Sequence, residues 1–341
     1  MQLSTPNVRI AAVETCDFGL LRQYETEELL RAALPDRWRR YLDSSMARAF
    51  IDRLGVETRH LSHVPGRLLA PDRLTAMDLA RSAVEQLVLR HPSALDDLDA
   101  LIFVSTSNPN PCNSQAALLA REFGIAPSCF DLKAGCSGGV LGLIQGALLI
   151  GAGCDRVLVV MAENLSQLTS ENDLRMLLTV GDGAACILLE RAAGPGFLAM
   201  LHGTAPAFAS AMKVRAAFPP APSVTRYAYE SGFCLGLPAF LAERWQSVFA
   251  RSLALGGATS ESLGHWFFHQ THGEQVDQLT RRLGGPCGRA PNVVTTHGNM
   301  GTPTFAVAMA QARGAVQPGE RYLMQAVGGG VSWAAIMAEH A

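Results

Sequence analysis

Apolar residues along this chain fall into short runs, each followed by a longer stretch of helical period. "ALIFVST" (100–106), "RVLVVMA" (156–162) and "AACILLE" (184–190) read as buried strands. Runs of about four to eight apolar residues bounded by turn residues fit strands covered on both faces. "HWFFHQ" (265–270), "NVVTTH" (292–297) and "RYLMQAV" (321–327) repeat the pattern further on. Strands alternating with helical segments predict an α/β protein with largely parallel pairing.

The two halves share an order of strand, turn, helix, strand, small-residue turn and helix. The offset stays near about 160 to 165 residues, from Ile102 to Trp266, from Cys136 to His297 and from Arg156 to Arg321. This pattern predicts an internal duplication, with halves 1–190 and 191–341 meeting where "RAAGPG" follows Glu190. Cys136 then stands at a strand-to-helix turn of one half, and Gly298 and Asn299 at the matching turn of the other. Two like halves packed face to face bring these turns together. The proline-rich "AFPPAPSVTRY" (217–227) predicts a surface loop covering something. Gln23 to Pro65 begins helical and charged, but its periodicity does not place it.

Composition narrows the classes. A chain of 341 residues exceeds one comfortable core, and 48% hydrophobic residues with a net charge of -2 describe a soluble protein without overall attraction for nucleic acid. The eight cysteines form no CxxC pair, which argues against a zinc ribbon or disulfide framework and fits a reducing cytoplasm. Neither a signal segment nor a membrane span is expected, since the apolar stretch from Val140 to Ile150 is broken by Gln145.

The chemistry centres on "DLKAGCSGGVLGLIQGALLI" (131–150). A cysteine at the first turn of a helix meets unpaired N–H groups and the positive end of the helix dipole, which predicts a lowered thiol pKa and a nucleophile at Cys136. Gly135, Ser137, Gly138 and Gly139 would let an acyl carbonyl come close to the backbone. Packing as a small hydrophobe is the alternative for Cys136, and the expectation for the other seven cysteines. The same residues fit G-x-S-x-G, which would make Ser137 the nucleophile of a serine hydrolase with His269 or His297 as base. His265, His269 and His272 would align as metal ligands on a helix, but the Trp266-Phe267-Phe268 between them reads as a strand ending near His269, ahead of a helix from about Gly273. His269 then stands where open α/β sheets place ligands. Asn299 follows a glycine in a turn that tolerates unusual backbone angles. The glycines of "AVGGGVSW" (326–333) lack the helix and lysine of a phosphate loop, so they predict close backbone approach to another chain or a ligand.

Together these pieces resemble the ketosynthase III branch of the thiolase superfamily, the β-ketoacyl-acyl carrier protein synthase III-like enzymes. "DLKAGCSGG", "VGDGAACILLE", "WFFHQTHGEQVDQLTRRLG", "THGN" and "PGERYLMQAVGGGVSWAA" occur in family order, and the resemblance extends from about Arg53 to the C-terminus. It implies a thiolase-like, five-layered αβαβα fold of two duplicated halves, a homodimer, and neither metal nor organic cofactor. It also implies that Cys136 takes an acyl group from a coenzyme A or carrier-protein thioester, with the N–H groups of Cys136 and Gly329 as oxyanion hole. His269 and Asn299 would hold the enolate formed from malonyl-carrier protein as CO2 leaves. Arg53, Arg281 and Arg282 fall where the family contacts coenzyme A or carrier protein, and Asp182 sits in a structural turn.

Several positions depart from the family. Ala49 replaces a tryptophan that stacks on adenine, and Glu274 replaces an arginine after the histidine. Gly139 replaces a phenylalanine beyond the nucleophile, and Cys112 stands in "NPNPCNSQ" (108–115) near the acyl pocket. An altered pocket and a specialised primer are expected, with primary, secondary or cofactor metabolism left open. Two further readings keep the same residues. One is acyl transfer to an alcohol or amine without carbon–carbon bond formation; the other is a non-catalytic partner subunit.

Overall fold

The computed structural model describes residues 2–3, 6–67, 73–108, 112–194, 196–214, 229–231, 234–283 and 289–340. The proline-rich stretch 217–227 and Cys287 lie outside the described residues. One five-stranded sheet contains β2 (Val8–Thr15), β5 (Ala100–Val104), β6 (Ser128–Leu132), β7 (Arg156–Asn164) and β8 (Asp182–Arg191), in the order β2-β8-β7-β5-β6. The other contains β1 (Gln2–Leu3), β9 (Phe197–Thr204), β12 (His265–Phe268), β13 (Arg321–Gly328) and β14 (Ser332–Glu339), in the order β1-β9-β14-β13-β12. The strand order β2-β8-β7-β5 thus recurs as β9-β14-β13-β12. Two small ribbons pair β3 (Arg22–Glu25) with β4 (Thr58–Leu61) and β10 (Met212–Val214) with β11 (Tyr229–Ser231).

Alternate residues of each strand feed different cores, as a two-residue period requires. Along β7, Val157, Val159 and Met161 face a central core, while Leu158, Val160 and Ala162 face an outer one. In β12, Phe267 joins the central core and Trp266 and Phe268 join the outer core of the second sheet. Helices Gly138–Gly151 and Thr304–Gln311 lie between the sheets. Ala76–Arg90 covers the first sheet from outside and Leu237–Leu255 covers the second, completing the five αβαβα layers. Gly138, Gly142 and Gly146 let the Gly138–Gly151 helix lie directly on the sheet: a Cβ there would stand 2.9, 2.9 and 2.8 Å from side chains of Val104, Val104 and Leu189.

Two expectations change. Pairing is mixed rather than largely parallel: β5–β6, β5–β7 and β12–β13 are parallel, while β2–β8, β7–β8, β13–β14, β9–β14 and β1–β9 are antiparallel. Both sheets lie between helical layers, so their antiparallel strands are also apolar on both faces and the composition loses its directional signal. Residues 292–297 are not a strand: Val294–His297 is a helical turn. Gln270 Oε1 accepts the N–H groups of Val293 and Val294 (2.9 and 3.1 Å), and Asn292 Oδ1 accepts that of Thr295 (3.3 Å). These side chains satisfy backbone donors that a ladder would otherwise use. The second sheet takes its fifth strand from β1, at the opposite edge.

The β3–β4 ribbon places the segment that periodicity left unplaced. It brackets helices Thr26–Ala33, Arg39–Asp43 and Ser45–Leu54 and is anchored by the fully buried Arg59. That guanidinium donates to Thr26 Oγ1 (3.0 Å) and to the carbonyls of Val56 (3.2 Å) and Leu178 (2.7 Å).

Candidate active site

Cys136 lies in a 3-10 turn, Gly135–Ser137, that runs straight into the central helix Gly138–Gly151. Gly135 has φ +56°, and a Cβ there would stand 2.6 Å from the carbonyl oxygen of Gly329. Only glycine meets both demands. From the other side the β13–β14 turn presses in: a Cβ on Gly328 would lie 2.7 Å from the Cβ of Cys136. The close approach expected of the glycines is made by Gly328 and Gly329, to the nucleophile turn of the same chain, while a Cβ on Gly330 would meet nothing within 4 Å.

A cavity of about 320 Å³ opens above this turn, lined by Cys136, Asn299, Gly301, Gly329, Lys133 and Lys213 among others. The two matching turns of the halves thus meet, as the duplication predicts. Asn299 is pinned by backbone bonds on both sides: its N–H donates to Thr179 (2.7 Å) and its carbonyl accepts from Gly181 (2.9 Å). Its side-chain oxygen accepts the N–H of Gly301 (3.0 Å), which turns the amide NH2 away as a donor. His269 is 1% exposed, and neither ring nitrogen has a hydrogen bond of good geometry. It is not itself a lining residue. Its ring neighbours the backbone of Gly301, which does line the cavity. Burial pushes its pKa down to about 4, only partly offset by Gly301, so the imidazole is neutral at pH 7.

The thiol departs from expectation. Burial, reinforced by the charge of Glu163, pushes the Cys136 pKa up to about 11, and the backbone N–H groups of Gly329 and Cys136 oppose this without reversing it. Position at a helix start would lower the pKa, but desolvation and a buried carboxylate outweigh it. The same N–H groups of Cys136 and Gly329 face the sulfur, as an oxyanion hole at this cysteine would require.

Ser137 is fully buried and its hydroxyl is engaged, 2.6 Å from Ser332 Oγ and donating to the Ala134 carbonyl at 3.1 Å. That geometry ties the nucleophile turn to β14 and gives the serine-hydrolase reading no open nucleophile. His272 Nδ1 accepts the N–H of Gln275 (3.2 Å) and caps helix Gly273–Arg282. His265 pairs with Glu320. Among the described residues no group of three or more His, Cys, Asp or Glu side chains could hold a metal.

The comparisons with known proteins bear on this geometry. A family model described as 3-oxoacyl-[acyl-carrier-protein] synthase III matches residues 130–206, and the model of its C-terminal part matches residues 253–340. A β-ketoacyl-[acyl-carrier-protein] synthase III of Streptomyces coelicolor is 30% identical over 293 residues, covering 79% of this chain and 84% of the relative. The chain belongs to the β-ketoacyl-[acyl-carrier-protein] synthase III family. A synthase III of a Ruegeria species is 26% identical, covering 89% of this chain and 95% of its own. The solved synthase III of Thermus thermophilus is 26% identical with a TM-score of 0.82, covering 98% of this chain and 99% of that one.

The remaining synthase III positions fall outside the cavity lining. Gly139 is packed inside the central layer, where a Cβ would stand 2.5 Å from the Thr302 carbonyl oxygen and 2.7 Å from Phe305. Cys112 is exposed. Arg53 lies in the last turn of helix Ser45–Leu54, 3.4 Å from Glu274, the residue at the family's arginine position. Arg281 and Arg282 are exposed in the last turn of helix Gly273–Arg282.

Four residues that the sequence reading did not single out complete the site. Gln270 is fully buried; its Nε2 donates to Pro291 (2.6 Å) while its Oε1 holds 293–294, so it sets the path into Asn299. Glu163 is buried and accepts from the N–H and hydroxyl groups of Thr106 and Ser107 and from Thr302 Oγ1. It thereby ties the two halves together below the cysteine. Lys133 and Lys213 line the cavity, and composition carried a signal for them: they are the only two lysines among 28 lysine and arginine residues.

Proposed function

We propose that this synthase III performs a decarboxylative Claisen condensation with Cys136, His269 and Asn299 as its catalytic residues. The observation that carries this reading is the meeting of Cys136, Asn299 and Gly329 on one cavity, with a neutral His269 beside Gly301 behind its wall.

In the first step Cys136 Sγ bonds to the acyl carbon of a coenzyme A or carrier-protein thioester, and the donor leaves as a thiol carrying the cysteine proton. The N–H groups of Cys136 and Gly329 receive the oxyanion. A thiol held at about 11 stays protonated at rest, so its ionisation is coupled to a bound thioester rather than standing ready for oxidants. In the second step the thioester oxygen of malonyl-carrier protein accepts from His269 and the Asn299 amide. CO2 leaves, and the enolate carbon attacks the acyl-cysteine, expelling the Cys136 thiolate, which takes a proton from solvent to regain its resting thiol, with a β-ketoacyl thioester as product. Each neutral donor contributes on the order of 3 kcal/mol to the barrier reduction when preorganised and shielded from water.

Arg53, Arg281 and Arg282 form the basic approach for an acidic carrier protein, with Glu274 partly neutralising Arg53. Gly139 and Cys112 mark the altered surroundings of the acyl pocket. The chain works as a homodimer in the cytoplasm, built from halves 1–190 and 191–341. The edge strand β6, with Cys129, Phe130 and Leu132 only half-buried, supports the dimer reading. No helix among the described residues is long and apolar enough to cross a membrane. Product analysis of acyl thioester with malonyl-carrier protein tests the reading: a β-ketoacyl product supports it, whereas an ester or amide product would move the chain to simple acyl transfer.

A further inference from the structure

Of the 28 cationic side chains in the sequence, 26 are arginine and only Lys133 and Lys213 are lysine. Both line the cavity that contains Cys136. They come from different parts of the fold. Lys133 follows β6, three residues ahead of the cysteine, and Lys213 lies in β10 beside Met212, whose Cβ and Sδ each stand 3.2 Å from the place a Gly329 Cβ would take.

Among the described residues neither lysine makes an ion pair, and no aspartate or glutamate lines the cavity. Glu163, behind Thr106, is already spent on donors from Thr106, Ser107 and Thr302. Lys213 stands opposite Glu230 in the β10–β11 ribbon, but no acid among the described residues lines the cavity, and two ammonium groups in a concave, partly apolar site attract an anion. A lysine at such a place also differs from an arginine. Its compact charge and rotatable donors on a flexible stem can follow a carboxylate at the end of a short chain, where a guanidinium fork would demand one fixed geometry.

We propose that the primer taken by Cys136 is an acyl group ending in a carboxylate, held by Lys133 and Lys213 while its thioester carbonyl lies at the N–H groups of Cys136 and Gly329. This rests on Cys136 being the acyl acceptor. A cavity of about 320 Å³ restricts that primer to a short chain. The lysines stay chemically unchanged: the bond formed is Cys136 Sγ to acyl carbon, the bond broken is the donor's sulfur to acyl carbon, and the cysteine proton leaves with the donor thiol.

The test compares thioesters of coenzyme A in matched pairs, butanoyl with succinyl and hexanoyl with adipoyl. The rate of mass gain on the intact full chain is followed, with Cys136→Ala as control. The carboxylate-ended member of each pair is expected to acylate the chain on the order of tenfold faster or more. Lys133→Met and Lys213→Met are each expected to slow the carboxylate-ended member several-fold more than the methyl-ended one, so that the preference shrinks, with a thermal melt reporting on folding, and Lys→Arg at either position to keep part of it. A wild-type preference for the methyl-ended members would overturn the proposal. So would an equal slowing of both members in the lysine variants, because the lysines would then hold a part common to all donors, such as the phosphates of the carrier arm. A mass gain that survives Cys136→Ala, or none with any thioester, would overturn it differently, by removing Cys136 as acceptor.

Discussion

Gly328 presses so closely on Cys136 that a Cβ on the glycine would stand 2.7 Å from the Cβ of the cysteine and 2.9 Å from its amide nitrogen. The contact joins the end of β13 to the nucleophile turn, and both partners are backbone or near-backbone, so neither can swing aside. Gly328→Ala is expected to cost about 1 to 3 kcal/mol of stability by overpacking and to slow acylation on the order of 100-fold by displacing the cysteine. Gly314→Ala, at φ +83° with nothing within 4 Å, provides the contrast. Its left-handed strain should cost about 1 kcal/mol with acylation unchanged. Thermal melts and intact-mass kinetics on both variants separate the effects.

Asn299→Ala removes the donor facing the cavity but not the cysteine. Condensation is expected to fall on the order of 100- to 1000-fold while acylation of Cys136 proceeds at the wild-type rate. Assaying the two half-reactions separately checks this; wild-type condensation would remove Asn299 from the mechanism.

His269 supplies a pH signature. Its pKa falls from an ordinary 6.5 to about 4 on folding, so between those values the unfolded chain binds a proton that the folded chain refuses. The contribution is fully present above about pH 6.5 and is lost as pH falls to about 4, by about 3 kcal/mol in all. Denaturant unfolding at pH 7 and pH 4.5 should show a smaller loss in His269→Gln than in wild type. His297, also pushed down to about 4 by burial and the neighbouring His60, contributes to both proteins and cancels in the difference. An identical pH dependence of the two proteins would mean that His269 titrates normally.

The basic helix end has a binding signature without a stability one. Arg53 and Glu274 are 3.4 Å apart with side chains 66% and 34% exposed, a pair expected to contribute under about 1 kcal/mol. Arg53→Ala, Arg281→Ala and Arg282→Ala should leave the melting temperature within a degree or two while raising KM for a carrier-protein substrate, and the effect should shrink at high salt. A KM unchanged in all three would place the carrier elsewhere.

Much of this site was legible from the chain, for physical reasons that differ by residue. Cys136, His269, Asn299 and Gly329 sit at strand ends or sharp turns, where short motifs are demanded by geometry, and the aromatic run Trp266–Phe268 already placed His269 at the end of a strand. The segment 292–297 was not legible: its β-branched apolar residues fit a strand, and the deciding contact, Gln270 Oε1 on Val293 and Val294, comes from 23 residues away. The thiol pKa failed for a related reason. A helix start is visible in sequence, but the burial and the Glu163 charge that outweigh it depend on how the layers close. Strand direction was hidden by helices covering both sheets.

The measurement that bears most directly on the whole account is the intact mass of the protein after incubation with a panel of acyl-coenzyme A and acyl-carrier-protein thioesters. A gain equal to one acyl group, absent in Cys136→Ala and retained in Asn299→Ala, is the predicted result. No gain with any thioester, or a gain undiminished by Cys136→Ala, would contradict it.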